Sequence, residues 1–287
     1  MKKKKPARKK KPRKKEKAPI SRLLFYLWAA LLFCTVKAPG QQKEFPFKSG
    51  ETALYGAYYN WNFIWLQSGE VNFKADTLRY QNQKAWHLKA VGKTFKAYDL
   101  MYSVRDTFEV FCRYDSFLPL YSRRAINHAD HHSVHRYVFN YSTNKISVKI
   151  DQDHHASWSA NIPVMENTYD LLATAYHFRS FDFNKLTVGQ KVPYRMLLDR
   201  KAEDLYFRYL GKENVKTRTG KVYRCQKVSV FLLQGDFFSQ GEYMKIWFTD
   251  DRNCLPVQVE TQIQVGSVKA LLIEPKSLKY PLTSLIK

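Results

Sequence analysis

Four histidines fall within eight positions, His128, His131, His132 and His135, with Asp130 between them. Imidazole and carboxylate together are ligands for Zn²⁺ or Cu²⁺, so the group is a candidate for metal-assisted hydrolysis. Its flanks restrict it. Leu120–Ile126 and Val134–Asn140 read as strands, which places the histidines in and around a hairpin turn. Neighbouring strand residues point to opposite faces, so only some of the four can meet one ion; a solvated polar turn is the alternative. Asp250-Asp251 is a pair of acids fit for general acid–base work, yet Thr249–Asn253 also has the composition of a tight turn whose acids bond their own backbone. Arg105-Asp106 in an apolar strand reads as a buried ion pair whose inward member needs a partner. The sequence has no G-x-S-x-G elbow, phosphate-binding glycine loop or H-E-x-x-H pair. A non-enzymatic protein without a cofactor is the expectation.

The aromatic run Tyr58–Trp65 (YYNWNFIW) suggests binding instead of catalysis. It holds more rings than one packed strand face needs. Tyr59, Trp61, Phe63 and Trp65, joined by Tyr102, are the candidate lining of an apolar ligand site. Phe231-Leu232-Leu233 and Phe237-Phe238 are possible additions to it. The competing reading is a large sheet simply covered with aromatics, or an exposed aromatic surface that meets an envelope protein partner.

Stepping along the chain, thirteen segments read as strands: Thr52–Asn60, Gly69–Leu78, Ala85–Thr94, Ser103–Arg113, Leu120–Ile126, Val134–Asn140, Lys145–Asp151, Lys191–Asp199, Glu203–Leu210, Val222–Leu232, Tyr243–Thr249, Leu255–Gln264 and Ser267–Ile273. Turn residues separate them, as at Tyr80–Asn82, Ser142–Asn144 and Thr219-Gly220. One segment keeps helical spacing: residues 167–179, with Leu171, Leu172, Ala175, Tyr176 and Phe178 on one side and Asn167 or Thr168 as the expected cap. So many strands exceed what an open sheet holds without curling. The fold class is mainly β: a large curved antiparallel sheet, a half-barrel or two packed sheets, with one main helix.

Residues 1–40 read as an address for export. Met1–Arg22 carries thirteen Lys or Arg and one acid, Leu23–Val36 runs fourteen residues without a charge, and Ala38-Pro39-Gly40 supplies small residues before a cut at Gln41. Fourteen helical residues span ~21 Å, less than the ~20 residues a bilayer core requires. An uncleaved anchor in the inner membrane is the alternative, and a lipoprotein signal at Cys34 is disfavoured by bulky Phe33. Residues 41–287 are then a single exported domain, periplasmic or secreted, that meets the membrane only through its leader. Beyond the leader, Lys+Arg falls to 34 against 24 Asp+Glu, a net +10 in place of +23. The excess is spread out, which speaks against a nucleic-acid groove and permits weak attraction to anionic lipid or polysaccharide. Three cysteines remain, Cys112, Cys225 and Cys254, all expected to be buried as small apolar residues.

Several phrases occur together in order: Gly50–Tyr55 (GETALY), Tyr59–Trp65, Ser68–Val71 (SGEV), Val104–Asp106, Leu118-Pro119, Asp170–Ala173 with Tyr176 and Arg179, Trp247–Asp251 (WFTDD) and Gly266–Ala270 (GSVKA). The set resembles domain-of-unknown-function family 3108, exported envelope proteins of Gram-negative bacteria, over roughly Phe47–Tyr280. Asn127–Asp130 departs from the family pattern where a glycine-containing turn is usual, and Cys254 stands at a usually polar turn position. The resemblance implies an all-β fold with a curved antiparallel sheet and no catalytic residues to carry over. With the aromatic run, it points to a lipid or another hydrophobic or amphipathic envelope component as the ligand.

Overall fold

The computed structural model describes residues 44–61, 64–99, 103–232, 241–262 and 267–286, except for the side chains of Trp61, Ile64, Leu232, Glu242 and Tyr243. These residues belong to one compact unit, Lys43–Lys287. The leader, Phe63, Tyr102, Leu233, Phe237 and Phe238 lie outside the described residues, as does the side chain of Trp61.

Alternating apolar and polar residues build fifteen strands in one open, curved sheet. From its middle, β1 (Glu51–Trp61), β2 (Ile64–Tyr80), β3 (Gln83–Thr94), β4 (Arg105–Arg113), β5 (Pro119–His128), β6 (His131–Asn140), β7 (Lys145–Gln152) and β8 (Trp158–Pro163) meander to one edge. The chain then crosses to the other edge, where β9 (Thr168–Tyr169) precedes helix α1 (Leu171–Phe178). Strands β10 (Lys191–Leu198), β11 (Lys201–Lys216), β12 (Val222–Leu232), β13 (Gly241–Thr249), β14 (Pro256–Gln262) and β15 (Ser267–Lys276) meander back, until β15 pairs with β1. Every pairing is antiparallel except β9 with β10. All thirteen expected strands are present, together with β8 and β9, which were not expected.

The curl has local causes. Register shifts interrupt the pairing at Leu54/Tyr55, Ala57/Tyr58, Phe111/Cys112, Tyr209/Gly211 and Trp247/Phe248, and such bulges bend a strand and increase its twist. Gln81 and Asn82, both at positive φ (48° and 63°), close the β2–β3 hairpin with the two-residue geometry that matches sheet twist. Curling brings Leu197 at the end of β10 against Tyr137, Phe139, Ile146, Val148 and Ile150 of β6 and β7. Beside it, Asp199 in the β10–β11 turn accepts from Arg124 Nη2 at 2.6 Å, and that same nitrogen donates to the Tyr137 hydroxyl at 2.5 Å.

The helix is shorter than its pattern predicts. Thr168 and Tyr169 pair with Arg195 and Met196 as a strand, and the cap is Asp170, whose Oδ1 accepts from the Ala173 amide at 2.8 Å. Neither Asn167 nor Thr168 is the cap, because pairing with β10 holds Thr168 and Tyr169 extended and starts the helix after them. One side of α1, Leu172, Ala173 and Tyr176, packs with Trp86, Leu88, Val110, Cys112 and Phe117 and with Phe45 and Phe47 of the segment before β1. Arg179 follows the helix. Its guanidinium, buried with Glu51, meets that carboxylate at 2.5 Å and donates to the Asn253 and Pro46 carbonyls, tying the helix end to β1 and to the β13–β14 turn. Cys112, Cys225 and Cys254 are free and buried, as expected for small apolar residues. Among the described residues, no helix is long and apolar enough to cross a membrane.

Candidate functional site

Helix α1 is apolar over a wider arc than the core uses. Leu171 is 40% exposed and Ala175, one turn on, is also exposed; both face a groove between the helix and the sheet. Two cavities occupy it. One, of about 410 Å³, is lined by Ala57, Gly69, Val71, Phe73, Ala90, Gly92 and Phe108 of β1 to β4 and by Val104 just before β4, with Leu171, Leu172 and Ala175. The other, of about 240 Å³, lies against Ala53, Tyr55, Val71 and Phe73 on one side and Ile246, Phe248, Leu255, Val259 and Ala270 on the other. Val71, Phe73 and Ala175 line both, so the cavities adjoin there.

Small residues keep the groove open. A Cβ on Gly69 would stand 2.3 Å from the Lys93 carbonyl, so close strand approach demands glycine there. Gly92 is different: a Cβ would find Val71 Cγ2 at 3.7 Å as its nearest neighbour, an ordinary contact. Its bare position, beside Ala57 and Ala90, leaves space that a larger residue would fill.

The polar groups of the groove are paired. Glu51 is held by Arg179, and Asp106 takes His128 Nε2 at 2.8 Å and the Asn127 amide at 3.0 Å, while Glu70 and Lys93, each one residue from Val71 or Gly92, pair at 2.9 Å on the other face of the sheet. Arg105 turns away to Asp99 at 2.6 Å, so Arg105 and Asp106 do not pair with one another and Asp106 is only partly buried. The Tyr55 hydroxyl donates to the Pro256 carbonyl at 2.8 Å, and burial pushes its pKa upward.

The residues singled out in the sequence are spread apart. Tyr59 lies two positions beyond Ala57 on the same strand face, at the end of the groove, half-buried. Trp65 pairs with Asn60 and so faces the other way, with Tyr58. On that outer face, Lys269 Nζ stands 4.5 Å from the Trp65 ring, and Arg218 lies over both Trp65 (5.4 Å) and Tyr58 (5.9 Å). The histidines divide likewise. His128 and His131 pair across the end of the hairpin, His132 faces oppositely beside Asp153 (2.7 Å), and His135 lies ~13 Å along the strand from His131, against Asp199 at 3.4 Å. Among the described residues, no three His, Cys, Asp or Glu side chains converge to hold a metal. Asp251 accepts from Thr249 Oγ1 and the Asn253 amide, both at 2.9 Å, as a turn acid does; Asp250 binds Lys212, Arg224 and Gln226.

Sequence reading missed the groove itself, whose walls are ordinary strand residues and one helix face. Its one local signal is a pair of glycines, Gly69 and Gly92, inside otherwise regular strands.

Fold and groove together define a mainly β protein, an open curved sheet with a helix set beside an apolar groove. The chain belongs to the family described as protein of unknown function (DUF3108), whose model matches residues 54–273. Among solved structures, it is similar to a β-barrel-like protein of the domain of unknown function DUF1849 from Brucella abortus, at 10% identity and a TM-score of 0.50, over 82% of this chain and 100% of that one. A protein with a YmcC-like fold from Bacteroides fragilis shares 10% identity over 81% of this chain and 98% of its own, at a TM-score of 0.31, too low to carry an argument. No curated protein matches.

Proposed function

We propose that this protein binds the apolar part of a lipid or another amphipathic component of the bacterial cell envelope, and carries or holds it without converting it. The observation that carries the reading is the groove: Leu171 and Ala175 face open space across from Ala57, Ala90 and Gly92, where a packed core would otherwise close. Concave apolar space with a few polar groups at its margin is the usual form of a small-molecule site. The carboxylates along it are each engaged by a cation or an amide, an arrangement suited to a lining more than to proton transfer. The order of residues 1–40, basic then apolar then small, supports the reading, because an exported protein would meet such a component in the periplasm or outside the cell.

Mass spectrometry on protein exported by its own leader and purified without detergent tests this directly. The denatured mass reports whether the chain begins at Gln41. A native mass larger by a discrete, lipid-sized amount is the expected outcome. Equal native and denatured masses, with no binding of added lipid, would remove the proposal and turn attention to protein partners.

A further inference from the structure

The two cavities meet at a neck. Phe73 and Val71 form its sheet side, and the helix presents only the methyl group of Ala175. Along β1 the groove runs from Glu51 to Ala57, six strand steps or ~20 Å. One leaflet of a ~30 Å bilayer core gives ~15 Å as the span of a membrane acyl tail. The lengths are comparable, and with only Val71, Phe73 and Ala175 common to both cavities the passage between them suits one tail.

The charges fix a direction. At the end beside Glu51, the Arg179 guanidinium is committed to the Glu51 carboxylate and to backbone carbonyls, so among the described residues it offers no free donor to a head group. At the other end, Asp106 shares the groove face with Gly92, partly buried and joined by His128 Nε2 at 2.8 Å, which makes that margin polar. A polar head can stay in water there while the tail lies inward.

We infer that the site takes a single unbranched acyl tail, entering past Gly92 and threading between Phe73 and Ala175 into the smaller cavity, and that Ala175 sets how long a tail is accepted. The inference rests on the lipid-binding reading above. A free fatty acid and a single-tailed lysolipid share this chemistry, and the experiment separates them by including both.

Ala175 is exposed on the helix, and leucine is a good helix former, so Ala175→Leu narrows the neck without disturbing the core. Purified wild type, Ala175→Leu, Gly92→Leu and the outer-face control Trp65→Ala would be titrated with saturated fatty acids, and with lysophosphatidylcholines, of increasing chain length. Wild type and Trp65→Ala are expected to gain about fourfold in affinity per added methylene until both cavities are filled. Ala175→Leu should follow the same rise and stop at a shorter tail. Gly92→Leu should weaken tails of every length. Which series binds tighter identifies the head group. If wild type binds tails and Ala175→Leu plateaus at the same length, the threading inference is overturned while lipid binding stands. If wild type binds no tail of any length, both fall together.

Discussion

At the residue scale, Asp170 does the most with one side chain. Its Oδ1 caps α1 through the Ala173 amide and its Oδ2 accepts from the Ser122 hydroxyl at 2.6 Å, joining the helix to β5. Burial raises its pKa, opposed by those hydrogen bonds. A carboxyl with a raised native pKa holds its proton more tightly folded than unfolded, so its contribution to stability is greatest in acid. It declines as pH rises from the unfolded value through the native one. Asp170→Ala should cost about 2 kcal/mol, a lost cap plus a buried hydroxyl without its acceptor. Asp170→Asn should keep the cap and lose that pH dependence. Thermal unfolding of the three proteins across acid to neutral pH measures both. An Asn variant with the full loss of the Ala variant would mean that the charge itself is what holds the helix.

At the element scale, the curled sheet is held where the β10–β11 turn meets β5 and β6. Asp199 sits there at φ 45°, its pKa lowered to about 2 by the hydrogen bond with His135 and then by the Arg124 guanidinium. A depressed carboxyl stabilises fully above its unfolded pKa and loses that contribution as pH falls through about 2. Asn tolerates the left-handed backbone, so Asp199→Asn removes the charge without strain. It should destabilise by about 1–2 kcal/mol near neutral pH, less than a fully buried pair because Asp199 is largely open to water. The gap from wild type should shrink towards pH 2. A gap constant with pH would show that the turn is held by Leu197 packing and not by the charge.

On the scale of the whole molecule, the first and last strands lie side by side at the centre of the sheet. The Tyr55 hydroxyl reaches Pro256 across 201 positions, and β15 completes what β1 begins. Closing so distant a pairing makes the fold complete only when the last strand arrives, and slow to form. Hydrogen exchange should rank the strands accordingly, with amides of β1 and β15 the most protected and those of the edge strand β8, nowhere fully buried, exchanging first. Equal protection across the sheet would contradict this order.

The sequence by itself determined the thirteen major strands, their curling and the main helix. Alternation of apolar and polar residues is a local property, and so many strands must bend to bury one face. It also carried the family likeness and the burial of the three cysteines. Local pattern could not supply β8, whose residues alternate only between half-buried and exposed, nor β9, two residues fixed by β10. Tertiary structure alone decided that Trp65 faces outward, that His128, His132 and His135 each meet a different aspartate, and that Leu171 and Ala175 line a groove while Leu172 and Tyr176 enter the core. The physical reason is distance along the chain. A side chain's neighbours across a curled sheet come from positions tens to hundreds of residues away, and register, bulges and closure choose them.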